Sequence, residues 1–114
     1  MFDSELRSSR IADCRIGFLN LSGASLLDVV VTSCHIDELD LTEAVLNRVR
    51  LEDCRIGTLR LRGARLSDVD LRGLDVAGLN EIDDATALRG ATIEPSQLPL
   101  LAPALAAGLG LHVV

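Results

Sequence analysis

Residues 34–53 read CHIDELDLTEAVLNRVRLED, and residues 54–73 read CRIGTLRLRGARLSDVDLRG. Laid over one another, the two blocks agree at Cys34 and Cys54, Ile36 and Ile56, Leu39 and Leu59, Leu41 and Leu61, Ala44 and Ala64, Leu46 and Leu66, Val49 and Val69, and Leu51 and Leu71. The block before them, 14–33, keeps the same aliphatic rhythm. Stepping by five from Leu6 gives Ile11, Ile16, Leu21, Leu26, Val31, Ile36, Leu41, Leu46, Leu51, Ile56, Leu61, Leu66, Leu71 and Val76, and the register first fails at Glu81. A second ladder lies two residues ahead of the first and repeats as Cys, Leu, Ala, Val every twenty residues from Cys14. A half block at 4–13 precedes the full ones and a fading block follows from Leu74.

Apolar spacing of 2, 3, 2, 3 fits neither the 3.6-residue period of a helix nor the strict alternation of a half-buried strand. It suits a short extended stretch followed by a turn. Four such units per twenty residues make a square coil, and stacked coils pair their backbones at the ~4.8 Å spacing of strands. One coil cannot bury its own interior, so each depends on its neighbours. Gly17, Gly23, Gly57, Gly63 and Gly73 fall at outward or corner positions, where turns that need positive φ are expected.

The units ASLLD, AVLNR, ARLSD, VRLED and CRIGT resemble the pentapeptide-repeat pattern, small-x-Leu/Phe-x-x, over roughly residues 4–80. That resemblance implies an all-β solenoid of bacterial origin, a right-handed quadrilateral parallel β-helix. The central position is never Phe here, which implies a slimmer, wholly aliphatic core. A leucine-rich repeat is the rival at this period, but its motif leaves part of each repeat irregular, and this ladder has no gap.

The domain boundary is expected near residue 80, with 1–80 the β-helix and 81–114 a C-terminal cap. Asn80, Glu81, Asp83 and Asp84 form a turn-rich break. Glu94, Pro95 and Gln97 then mark a short α-helix start, with Leu98, Leu100, Leu101, Leu105 and Leu109 as its apolar face. Pro103 is expected to break or kink this helix near Ala102, Gly108 and Gly110 to end it, and LHVV to add a last short strand. ATIEPSQLPLLAPALAAGLG also resembles a tail on some bacterial pentapeptide-repeat proteins. The first repeat nearly coincides with the chain start, so the first coil is expected either to pair with another subunit or to continue a longer parent.

The chain has 114 residues, 48% hydrophobic, with Phe2 and Phe18 as its only aromatics, a net charge of −6 and a pI near 4.7. Acidity of this kind disfavours direct nucleic-acid binding, which needs surplus Lys and Arg. No apolar run approaches the ~20 residues of a membrane span, and MFDSELRSSR carries no signal-peptide core. Three cysteines are an odd number for a disulfide framework, and a cytoplasmic location is expected.

Cys14, Cys34 and Cys54 share one column without a His or carboxylate, so zinc would lack ligands there, and they read as small buried residues. His35 falls in a column with Arg15 and Arg55, and His112 lies elsewhere. No catalytic residue, metal site or cofactor is expected. Charges sit outside: Asp37, Glu38, Asp40 and Glu43 form an acidic corner, with Arg55, Arg60 and Arg62 one coil on. Asp28, Arg48 and Asp68 alternate in sign up one column, as do Asp40 and Arg60. Leu27, Val30 and Val45 also point outward and, with the acidic corner, form the candidate interaction surface. The expected function is a non-catalytic scaffold or protein-interaction module with a protein partner, homodimerising through a solenoid end. The family resemblance implies an alternative: mimicry of duplex DNA toward a type II topoisomerase such as gyrase.

Overall fold

The computed structural model describes residues 5–79, 81–83 and 85–110; Phe2, Asn80, Asp84, His112 and the last strand expected over LHVV lie outside them. The chain forms β1 (Glu5–Arg7), β2 (Arg10–Ala12), β3 (Arg15–Asn20), β4 (Ser25–Thr32), β5 (His35–Asp40), β6 (Val45–Glu52), β7 (Arg55–Arg60), β8 (Arg65–Asp70), β9 (Glu81–Asp83), β10 (Ala91–Thr92) and one helix, α1 (Leu98–Gly108). Every strand pairing is parallel. One sheet runs β1-β4-β6-β8-β10 with β2 also on β4, and the other runs β3-β5-β7-β9. This is an all-β parallel solenoid of about four turns, closed by a single short helix.

The register explains the ladders. Leu6, Leu26, Leu46 and Leu66 are successive partners, as are Ile16, Ile36 and Ile56, so identical side chains stack on the inside. Ile56 and Val29 are wholly buried, and Ile36, Leu61 and Val69 nearly so. Leu6, Ile11, Ile16 and Leu21, in the first coil, are only half-buried, whereas Leu26, Val31, Ile36 and Leu41 one coil on are buried.

Of the five glycines expected at turns, Gly23 and Gly63 take left-handed φ, and most of the other corners do without glycine. Left-handed φ occurs at Ser8, Asp13, Asp28, Ser33, Glu43, Arg48, Asp53 and Asp68, with only Gly23 and Gly63 adding to the series. Gly17, Gly57 and Gly73 keep ordinary φ. These residues recur at five-residue steps, skipping Phe18, Glu38 and Thr58, which lie within β3, β5 and β7. The coils at 14–33 and 34–53 thus each carry three left-handed residues at five-residue steps, and the transverse extents of the molecule are equal at 25 Å. Left-handed φ costs a non-glycine residue roughly 1–2 kcal/mol, least for Asp. Inter-coil hydrogen bonds offset that cost: Ser8 N–H donates to Leu27 O at 2.9 Å, Ser33 N–H to Glu52 O at 2.9 Å, and Glu43 N–H to Arg62 O at 2.8 Å.

Stacking continues past the expected break, though out of step. A 3-10 turn at Val76–Gly78 adds three residues, so Ile82 in β9 sits beside Leu59 at an offset of 23 instead of twenty. Ala91 in β10 then sits beside Val69. The segment expected as turns thus supplies β9, and the stretch between it and the helix supplies β10. Pro103 lies inside α1 without ending it, and the helix runs on to Gly108.

Candidate interaction surfaces

Backbone register decides which outward charges meet. Asp28 and Arg48 lie one coil apart, and the guanidinium grips the carboxylate at both ends, with Nε–Oδ1 2.6 Å and Nη2–Oδ2 3.0 Å. This fork lowers the Asp28 pKa and raises that of Arg48, with Asp68 adding a further attraction on the other side. The expected sign alternation along this column is present.

The acidic corner is less uniform than its sequence. Asp37 is exposed, 3.6 Å from His35 Nε2. Glu38 is half-buried and accepts from Arg60 Nε at 3.0 Å. Arg60 stands in register with Asp40 but turns to Glu38, so the ion pair expected between Arg60 and Asp40 runs diagonally. The hydrogen bond to Glu38, assisted by its charge and by Glu81 and Asp83, raises the Arg60 pKa. Asp40 instead builds a turn, accepting from the Thr42 amide at 2.9 Å and its hydroxyl at 2.6 Å. Asn20 makes the same turn with Ser22 one coil earlier. Glu43 is exposed at a left-handed corner. Two of the four carboxylates are therefore engaged locally.

Leu27 and Val30 are half-buried on either side of the Asp28 corner, and Val45 is exposed beside Ser25 and Arg65. Their column neighbours Asn47 and Arg50 are polar, so the three do not join into one apolar face.

Near the last coil, Arg72 Nε and Nη2 bond Asp70 at 3.0 and 2.8 Å. That side-chain bond, with the Arg72 amide and the nearby charges of Arg72 and Arg50, outweighs desolvation and holds the Asp70 pKa at about 2.

Free thiols fill the cysteine column. Cys54 Sγ donates to Val31 O at 3.2 Å, and Cys34 Sγ to Thr32 O at 3.2 Å. Burial pushes the Cys54 thiol pKa up, which keeps it protonated. Among the described residues, no three His, Cys, Asp or Glu side chains converge as a metal site would require, and no helix is long and apolar enough to cross a membrane.

At the C-terminal end, Gln97, expected only as a helix-start marker, makes a contact that the sequence did not suggest. Gln97 is buried, and its amide nitrogen donates to Leu71 O at 2.8 Å and Leu74 O at 2.9 Å. Its Oε1 accepts from the Glu94 amide at 2.7 Å. One side chain thus ties the start of the helix to the corner of the final coil. The sequence signal reaches only the helix start: a Gln three residues after Glu94, the spacing of a capping box. Beyond Gln97 the helix does not bury all five of its expected leucines. Leu101 is buried and Leu105 half-buried, while Leu98, Leu100 and Leu109 are more than half exposed. Leu98, Pro99, Ala102, Pro103, Ala106 and Leu109 help line a shallow groove of about 680 Å³, and α1 contains no charged residue. No family model matches the chain, and no curated protein matches it.

Proposed function

We propose that this chain is a non-catalytic interaction module of the bacterial pentapeptide-repeat type, and that it self-associates through its capped end. The family reading is supported by the five-residue inward ladder on a twenty-residue register. The observation that carries the function is exposed Leu98 and Leu100 on α1, with Leu109 just past its end, in a stretch without charge. Exposed apolar patches of this kind mark contact sites. A second copy is the partner that fits. The chain carries a net charge of −6, so copies repel elsewhere, and an uncharged apolar end is complementary to itself across a two-fold axis. The acidic corner and the residues around Leu27, Val30 and Val45 remain outward for further protein contacts.

Sedimentation velocity tests the reading. A dimer is expected at tens of micromolar, and Leu100→Glu should yield a monomer with an unchanged circular dichroism spectrum. A wild-type protein that stays monomeric at that concentration would overturn it.

DNA mimicry toward gyrase is the second reading. The 25 Å width and overall acidity favour it. Against it, Arg7, Arg48, Arg50, Arg60, Arg62 and Arg72 each pair with a carboxylate, which interrupts the acidic surface with positive charge. Inhibition of supercoiling by excess protein would favour mimicry over the module.

A further inference from the structure

An aliphatic lumen packed in regular layers is limited by the reach of its side chains. Each coil sends in Leu, Ile, Val, Ala and Cys from opposite walls, and among the described residues no aromatic ring crosses the axis. The layers leave about 40 Å³ of space in all along the lumen, whose lining runs from Leu19 to Leu88 and includes Leu46, Val49, Ile56, Leu59, Leu61 and Val69. These six are buried. Its wall is hydrocarbon apart from Cys54, whose thiol already donates to the carbonyls of Val31 and Glu52.

Such a space is large enough for a water molecule, which needs on the order of 10–15 Å³ in this measure, but a water also needs two to four polar partners. The lumen offers none. Apolar cavities without polar partners stay dry and accept apolar guests of matching size. A guest there would regain dispersion contacts that the lining atoms lack across the gap.

We propose that the lumen is a binding site for a small nonpolar guest, of the size class of a single xenon atom or a diatomic gas. The site excludes water by chemistry and larger molecules by volume. It is separate from the α1 groove, so the proposal stands apart from the self-association reading.

Xenon is the probe, applied under pressure to the full chain with ¹³C-labelled methyl groups. Saturable shifts are expected at the methyls of Leu46, Val49, Ile56, Leu59, Leu61 and Val69. Val49→Ile adds one methyl to the wall while keeping a β-branched residue, and those shifts should be lost. Leu46→Ala enlarges the space and should bring saturation at lower xenon pressure. Should Val49→Ile fail to fold by circular dichroism, Ile56→Val supplies a milder enlargement with the same expected direction as Leu46→Ala. Absence of saturable shifts in the wild type, shifts confined to Leu98, Leu100 and Leu109, shifts unchanged in folded Val49→Ile, or water-to-methyl Overhauser contacts at the lining would each overturn the proposal.

Discussion

Replacing Gln97 with Leu removes the donor and acceptor that hold the cap to the last coil, with little change in bulk. Three hydrogen bonds of 2.7–2.9 Å disappear. Each contributes about 0.5–1.5 kcal/mol net, and a buried carbonyl left without a donor costs ~1–3 kcal/mol. The Glu94 amide lies near the surface and can find water, and the Leu71 carbonyl keeps the Leu74 amide at 3.0 Å, whereas the Leu74 carbonyl faces a buried side chain. A loss of about 3 kcal/mol follows, a large share of a typical stability of ~5–15 kcal/mol. At roughly 4–6 °C per kcal/mol for a chain of this size, the melting temperature should fall by about 12–18 °C. Thermal melts by circular dichroism measure it, and hydrogen exchange should show the α1 amides losing protection ahead of those in β6. Gln97→Glu separates hydrogen bonding from shape. Its carboxylate would face two carbonyl oxygens in a buried place, so its folded pKa would rise above the ordinary ~4.3. Relative to wild type, the Glu variant should be least impaired below that value, where the acid can donate. It should weaken as pH rises through the raised pKa. A Leu variant melting within about 3 °C of wild type, with α1 protection intact, would refute the reasoning.

Other substitutions probe other layers of the argument. Asp70, with its pKa held at about 2, contributes stability that is present above the ordinary carboxyl range and is lost as pH falls toward 2; in Arg72→Gln, carboxyl NMR titration should show that pKa move up toward ~3.9. Gly90→Ala should destabilise by about 2 kcal/mol or more, because φ is +92° and a Cβ would collide with the Leu66 carbonyl oxygen; Gly17→Ala, with nothing within 4 Å of an added methyl, should be neutral or stabilise by a few tenths of a kcal/mol in urea titration. Within the Leu6–Leu26–Leu46–Leu66 column, Leu46→Ala should cost ~2–5 kcal/mol and Leu6→Ala clearly less, since Leu6 is only half-buried; equal losses in chemical denaturation would contradict the layered core.

The solenoid was legible because burial and register share one period. A five-residue step that never misses an aliphatic residue constrains which side chains face inward, and a twenty-residue repeat of Cys, Leu, Ala, Val constrains which residues stack. Corner chemistry was read less well. Glycine was the expected carrier of left-handed φ, yet Asp13, Arg48 and Asp53 adopt it because inter-coil pairing fixes the backbone more strongly than local preference opposes it. The step to β9 was hidden because a 3-10 turn inserts three residues and then resumes pairing, which a fixed-period scan cannot follow. Surface pairing was half legible. Asp28 with Arg48 follows from column position alone, but Arg60 had two acids within reach, and only the turn that occupies Asp40 decides for Glu38. Gln97 was legible as part of a helix start, but its tie to the last coil was not, because a lone polar side chain gives no periodic signal.

Register at an offset of twenty also governs what lengths of chain can be gained or lost. Removing residues 34–53 would join Ser33 to Cys54, the same dipeptide that stands at Ser33–Cys34, and every downstream aliphatic residue would keep its inward phase. Cutting one residue would instead carry Leu46, Val49 and Leu51 out of step with the columns beneath them. The molecule therefore treats chain length as a code read in whole coils, and it can be shortened or extended by that unit while other lengths must be absorbed in a bulge, as the turn at Val76–Gly78 absorbs three.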